Sequence, residues 1–418
     1  MMAPPQRQRR AMRAVLGAQF FTALADNALL IVAIGLLLER AAPAWMTPAL
    51  RICLYLSYVL LAPFAGALAD AWPKGRVMLI TNLVKLAACL LLAFDAHPLL
   101  AFGAIGVVGV AYGPAKYAIL ADLVPPAQLV AANAWIEMST VAAILGGTAL
   151  GALLLAPHAA LAPFGSPAHG ASVAIVGIYA LASLCAAAIR AIPAGAAGVA
   201  ARADAPSVLA CAAGFRAELA LLWRDADGRI ALAVTTLFWA VAAALQFLVI
   251  EWAGTVLGLT LPQSALMQCF LAVGMVAGAA GAARWVATAR AMTVLPAGLA
   301  LGGAIVLMTQ VSSLAPACLL LFATGAVAGI VLVPMNALLQ QRGAALMAPG
   351  GSIAVQSFNE NLAALVFLAA YGALLAAAVP VRAIAAGCGM LVIALMLAIM
   401  RWRRAATATP VLLAGRRP

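Results

Sequence analysis

The chain has little charge. Only 9% of its 418 residues are Asp, Glu, Lys or Arg, where a soluble domain carries about 25%. So few charges cannot cover a water-facing surface, and an ordinary soluble fold is excluded. The seven cysteines form no CxxC pair and lie mostly inside apolar stretches. They read as packing residues with free thiols, so neither a disulfide framework nor a metal site is expected, and no cofactor is implied. A nucleic-acid-binding role would need a basic face on a soluble fold, and there is none.

What the chain has in excess is hydrocarbon: 67% of its residues are apolar. A membrane span needs about 20 mainly apolar residues. Twelve such stretches fall near 14–38, 48–69, 77–94, 99–121, 128–155, 171–191, 230–253, 264–284, 291–310, 315–339, 351–376 and 381–400. Inside a bilayer every backbone N–H and C=O must be paired within the protein. These stretches are too long and too uniformly apolar for barrel strands, so they are read as helices. The expected fold class is an all-α membrane protein with twelve transmembrane helices in two six-helix bundles.

Charge placement predicts orientation. With an even number of spans, nineteen of the 24 Lys and Arg fall on the side of both termini, and only Arg40, Arg51 and Arg382 on the other. The positive-inside rule puts both termini in the cytoplasm. The net charge of +12 then follows from topology and from anionic headgroups. The basic start and Ala23-Leu24-Ala25 mimic a cleaved signal peptide, but cleavage there would leave Asp26 to Leu38, too short to span; the first segment is expected to be a retained helix.

Residues 192–229 are the longest polar stretch between spans. They divide the chain into an N-terminal bundle, 1–191, a cytoplasmic linker, 192–229, and a C-terminal bundle, 230–418. Within the linker 207–224 reads as a helix, with Ser207 as its cap and Val208, Cys211, Phe215, Leu219 and Leu222 at three-or-four spacing. It would lie on the cytoplasmic membrane face or pack against the bundle. The halves echo one another. Pro114 in the fourth span matches Pro334 in the tenth, and the Asn133–Glu137 stretch of the fifth span matches Gln356–Glu360 of the eleventh. Two parallel six-helix repeats resemble the major facilitator architecture.

Between the second and third spans stand Gly66, Asp70, Lys74, Gly75 and Arg76. The stretch resembles motif A of the major facilitator superfamily, GxxxDxxGRR, with one extra residue before the basic pair. Gly66 would allow close helix approach, and Asp70 would face the positive end of the eleventh helix near Gly350-Gly351. With Lys74 and Arg76 this forms a candidate cytoplasmic latch. The equivalent loop of the second half, Gly281 to Arg290, keeps its arginines but has no acid.

Six charges stand inside spans, where each costs about 2.5–3.5 kcal/mol on insertion scales and needs a reason. They are Asp26, Lys85, Lys116, Glu137, Glu251 and Glu360. The first, fourth, seventh and tenth helices line the cavity of this architecture, which makes Asp26, Asn27, Lys116 and Gln246 the substrate-binding candidates. A carboxylate suits an amine, and a lysine suits a phosphate. Internal pairing, such as Asp26 with Lys85, is the structural alternative. Glu137 and Glu360, on interface helices, are read as gating or packing residues.

Several stretches together resemble the bacterial lysophospholipid transporter family. They are Gln19-Phe20-Phe21 through Asp26-Asn27-Ala28-Leu29-Leu30, Ala69-Asp70 with Lys74 to Met78, and Tyr112-Gly113-Pro114-Ala115-Lys116-Tyr117. Leu129-Val130 with Asn133, Ile136 and Glu137, Val333-Pro334 with Asn336 and Gln340, and Ala354-Val355-Gln356 with Asn359-Glu360-Asn361 complete the set. The resemblance implies facilitated movement of lysophospholipids such as lysophosphatidylethanolamine across the bacterial inner membrane to the cytoplasmic leaflet. It also implies an acyl-carrier-protein-dependent acyltransferase as functional partner. Some members carry an arginine in the stretch that here reads Ala244-Leu245-Gln246-Phe247. Gln246 can hydrogen-bond a phosphate but brings no charge, which moves weight to Lys116.

Three other readings compete with this one, among them a non-transporting membrane scaffold. A proton-coupled exporter of drugs or metabolites would use Asp26 as its titrating group. A membrane acyltransferase would need HxxxxD, but Phe102, Pro163 and Ala174 stand five positions beyond His97, His158 and His169. The chain is therefore not expected to be an enzyme.

Overall fold

The apolar stretches become helices. A computed structural model describes residues 5–42, 46–155, 167–190, 208–259 and 261–414. Its helices are α1 (Pro5–Glu39), α2 (Met46–Ala71), α3 (Lys74–Ala93), α4 (Pro98–Leu123), α5 (Leu129–Leu155), α6 (Pro167–Arg190) and α7 (Val208–Arg224). They continue as α8 (Ala226–Leu257), α9 (Leu261–Trp285), α10 (Ala297–Leu307), α11 (Leu314–Leu346), α12 (Pro349–Ala376) and α13 (Val381–Ala414). No strand occurs among the described residues. Among the described residues eleven helical segments are long and apolar enough to cross a membrane, and Ala49–Ala65 within α2 is a shorter apolar stretch. The linker residues 192–207, with the cap assigned to Ser207, lie outside the described residues.

The ninth span is a composite. A 3-10 segment, Thr288–Val294, precedes α10, and a second one, Met308–Gln310, follows it. Pro296 at the junction has no N–H to give, which fits a break at that point. Pro114 and Pro334 stand inside α4 and α11 without ending them, as neighbouring helices permit in a membrane bundle.

The chain forms two compact units. The first comprises residues 1–125, 139–218 and 347–358; the second comprises 126–138, 219–346 and 359–418. Thus the start of α5 clusters with helices of the second sequence half, and the start of α12 with those of the first.

In the first unit α6 packs on α1 and α3, and α4 on α2 and α3. Its core includes Ala25, Leu29, Ala33, Leu36, Leu92, Phe102, Ile175 and Tyr179, all buried. Gly147 and Gly151 let α5 press against α1. A Cβ on Gly147 would collide with the Leu24 carbonyl oxygen. One end of the bundle is tied by Asp95, which accepts from Arg40 at 3.1 Å and stands 3.0 Å from the His169 ring nitrogen.

In the second unit α11 packs on α8 and α9, and α13 on α8 and α10. Close approach of α9 and α11 depends on missing side chains: a Cβ on Gly278 would overlap the Ala326 carbonyl oxygen. Small-residue contact of this kind substitutes for the hydrophobic effect, which cannot drive association within lipid.

Candidate functional site

The polar centre of the first unit is built around Asp26. Its helix, α1, is surrounded by apolar neighbours, so the carboxylate needs partners. Lys85 on α3 donates to Asp26 Oδ2 at 2.6 Å, and the Tyr179 hydroxyl on α6 donates to Oδ1 at 2.7 Å. The Lys85 side chain is 5% exposed and that of Asp26 33%, so the lysine is sealed in while the carboxylate keeps an open edge. Beside them the Tyr112 hydroxyl donates to Thr22 Oγ1 at 3.3 Å, and Thr22 donates to Asn82 Oδ1 at 2.9 Å. Lys85 Nζ also lies 5.5 Å from the Tyr112 ring centroid. Three helices, α1, α3 and α6, thus converge on one partly accessible carboxylate, and α4 supplies Tyr112.

The other sequence-derived candidates are placed as follows. Asn27 is half-buried, donates to the Ala23 carbonyl at 2.8 Å, and stands beside Gly147. Lys116 is buried on α4, its Nζ 4.2 Å from the Tyr117 ring centroid. Gln246 is exposed on α8 in the second unit, and its backbone carbonyl accepts from Gln268 at 2.5 Å. The structure therefore joins Asp26 to Lys85, the internal pairing that the sequence left open beside substrate contact.

Two of the three latch side chains are described. The side chain of Asp70 lies outside the described residues. Lys74 forms an ion pair with Asp122 at the end of α4, and Arg76 is exposed. Among the described residues, a carboxylate at the start of α12 is that of Glu218, from α7. Its oxygens lie 2.5 and 2.6 Å from where a Cβ of Gly351 would stand. A negative charge there complements the positive end of the helix. The same helix α7 buries Phe215, whose ring is 5.3 Å from that of Phe358, and Leu222 is fully buried. Phe215 and Leu222 therefore turn inward.

Glu137, at 2% exposure, accepts from Asn336 at 3.4 Å. Four residues earlier Asn133 exchanges two hydrogen bonds with Gln340, at 2.9 and 2.8 Å. These contacts join α5 to α11 inside the second unit. Glu360 is half-buried on α12. Three groups were not singled out from the sequence: Tyr179, the Asn133–Gln340 pair as a contact, and Asp225. Asp225 caps α8, accepting from the Gly228 N–H at 2.7 Å, and its carboxylate meets the Arg342 fork, with Nε at 3.0 Å. The Arg342 hydrogen bond holds the Asp225 carboxyl below its usual range; burial opposes this, and the Gly228 and Asp227 N–H groups add to the lowering. A lone tyrosine within the sixth span was the available signal for Tyr179. Nothing in the spacing announces the other two.

Comparison with known proteins places these features in a family setting. A model of the Major Facilitator Superfamily matches residues 15–359. The lysophospholipid transporter LplT of Yersinia enterocolitica is 38% identical over 375 residues, covering 90% of this chain and 89% of that protein. The LplT of Yersinia pestis strain Pestoides F is 38% identical with the same coverage. Among solved structures, the human organic anion transporter MFSD10 superposes with a TM-score of 0.75 at 20% identity, covering 96% of this chain and 100% of that one. The Escherichia coli fucose:proton symporter FucP gives 0.72 at 14% identity, with 94% and 98% covered. At these identities the two structures bear on the fold alone.

Proposed function

The chain belongs to the Major Facilitator Superfamily and, within it, to the lysophospholipid transporter family, and on that premise we propose that it moves lysophospholipids across a membrane. The observation that carries this reading is the 38% identity to named lysophospholipid transporters over 90% of the chain. The proposed substrate is lysophosphatidylethanolamine and its relatives. The proposed direction is toward the cytoplasmic leaflet of a bacterial inner membrane, with both termini cytoplasmic, by facilitated alternating access of the two sequence halves. Re-acylation would fall to a separate acyl-carrier-protein-dependent acyltransferase, the transporter itself performing no chemistry.

Asp26 supports the reading by its environment. A carboxylate with one open edge, held by Lys85 and Tyr179, can exchange part of its pairing for the ammonium of an ethanolamine head. Lys116, buried one turn beyond Tyr112 on α4, would answer the phosphate, with Asn27 and Gln246 as neutral hydrogen-bonding groups. The apolar walls of the bundle tolerate one acyl chain. Asp70, Lys74, Arg76, Glu137 and Glu360 would act in gating.

The test is a leaflet assay. Purified protein in liposomes is expected to accelerate transfer of labelled lysophosphatidylethanolamine, and no acceleration over empty liposomes would overturn the reading. The Asp26–Lys85 pair also supports a second reading, a proton-coupled exporter of drugs or metabolites. Abolition of transport by an uncoupler would support that reading, and insensitivity would remove it.

A further inference from the structure

The second unit holds a cavity of about 570 Å³ between the last turns of α8 and the turn joining α12 to α13. It lies at the end of α8 opposite Asp225. Two side chains of opposite sign face it, Glu251 on α8 and Arg382 in the first turn of α13. Both are exposed, and among the described residues no ion pair joins them. The rest of the wall is mainly apolar, with Val256, Leu375, Val379 and Pro380.

The wall is held by a defined backbone. Ala378 adopts φ 55, and the Val379 N–H donates to the Leu374 carbonyl at 3.0 Å, closing α12. The Pro380 carbonyl then accepts from Ala383 and Ile384, opening α13 with Arg382 in its first turn. One helical turn back along each wall stands an aromatic ring. Phe247 precedes Glu251 by four residues and Tyr371 precedes Leu375 by four, the same-face spacing of a helix. Their ring centroids are 6.5 Å apart, tilted by 30°, and Phe247 is 40% exposed.

We propose that this cavity is a docking site for the zwitterionic head of a lysophospholipid before it reaches the centre of the bundle. The ammonium sits on Glu251 and the phosphate on Arg382, while the acyl chain runs along Phe247, whose ring is backed by the buried Tyr371. The chemistry is that of a phosphoethanolamine zwitterion. A cavity of this size falls in the range of small-molecule sites and holds the head and glycerol, leaving the chain to Phe247. Two opposite charges on one apolar wall select a ligand that carries both signs. An anion alone would satisfy Arg382 and be repelled by Glu251. The inference rests on the lysophospholipid reading of the family.

The experiment measures two things on the full-length protein in nanodiscs and liposomes: equilibrium binding of a fluorescent lysophosphatidylethanolamine, and its transfer between leaflets. Glu251→Gln and Arg382→Gln are each expected to weaken binding about fivefold, the scale of one partly exposed charge-assisted contact. KM for transfer should rise with kcat retained. Lysophosphatidylglycerol is an anion without an amine, so Glu251→Gln should strengthen its binding while Arg382→Gln weakens it, a pattern that a loss of packing would not give. Wild-type transfer with unaltered binding in both variants would overturn the site and leave the transport reading intact. Wild-type binding that follows the expected pattern, without transfer, would support the site and overturn the transport reading. Equal competition by diacyl phosphatidylethanolamine would overturn the assignment to a lysolipid.

Discussion

At the scale of single residues, the pairing of Asp26 with Lys85 makes an asymmetric demand. Lys85 is sealed in and Asp26 is not, so removing the carboxylate strands a buried ammonium. Breaking a buried pair from one side costs about 3–5 kcal/mol, whereas replacing both partners by apolar groups is often near neutral. Asp26→Ala is therefore expected to lower thermal stability strongly, and Asp26→Ala with Lys85→Met to recover most of it. Transport should stay lost in the double variant if Asp26 receives the substrate amine. Melting temperature in detergent, read beside leaflet transfer, separates the two effects, and recovery of transport with stability would remove Asp26 from the binding site.

At the scale of elements, the start of α8 is fixed by one carboxylate serving two purposes. Asp225 caps the helix through Gly228 and pairs with the Arg342 fork on α11. Its carboxyl is held below the usual range. A depressed carboxylate contributes stability that is present above its unfolded value, about 3.9, and is lost as pH falls through the lower folded value. Asp225→Asn keeps a capping oxygen for Gly228 and is expected to cost about 1–2 kcal/mol at neutral pH, from the lost charge-assisted bonds to Arg342. It should also flatten the acid limb of the stability profile. An unchanged acid limb in thermal unfolding would show that other carboxylates set it. Helix α7 gives the parallel case in the first unit, with Glu218 seated at the start of α12.

At the scale of the whole molecule, residues distant in sequence meet through α5 and α11. Asn133 and Gln340 exchange two hydrogen bonds across 207 residues of chain, and Glu137 meets Asn336 one turn along. If the two sequence halves alternate access, these contacts must break in each cycle. Joining Asn133→Cys to Gln340→Cys with a short bismaleimide, in a background without the seven native cysteines, is expected to stop leaflet transfer in proportion to cross-linking. Full transfer by the cross-linked protein would show that α5 and α11 stay together throughout transport.

Much of this molecule is legible in its hydropathy and spacing. The helical spans and the helix from Val208 to Arg224 follow from them, because lipid forces each span to satisfy its own backbone and leaves side chains to record the solvent. The charges that need a reason, Asp26 and Lys85 among them, stand out for the same cause: a charge within a span costs enough to mark itself. Their partners do not stand out. Which of several groups a buried carboxylate chooses depends on where α3 and α6 cross α1, and a one-dimensional pattern carries no crossing. Tyr179 reads like any tyrosine, Glu218 like a solvated linker charge, and Asp225 and Arg342 like two loop charges until α7, α8 and α11 are set in place. The sequence by itself thus determined that the chain spans a membrane by helices and where its costly charges stand, since those depend on local composition against a fixed solvent. Only the tertiary structure decided that Asp26 is shared by Lys85 and Tyr179, and that Glu251 and Arg382 face one cavity, since those depend on distances between helices far apart in the chain.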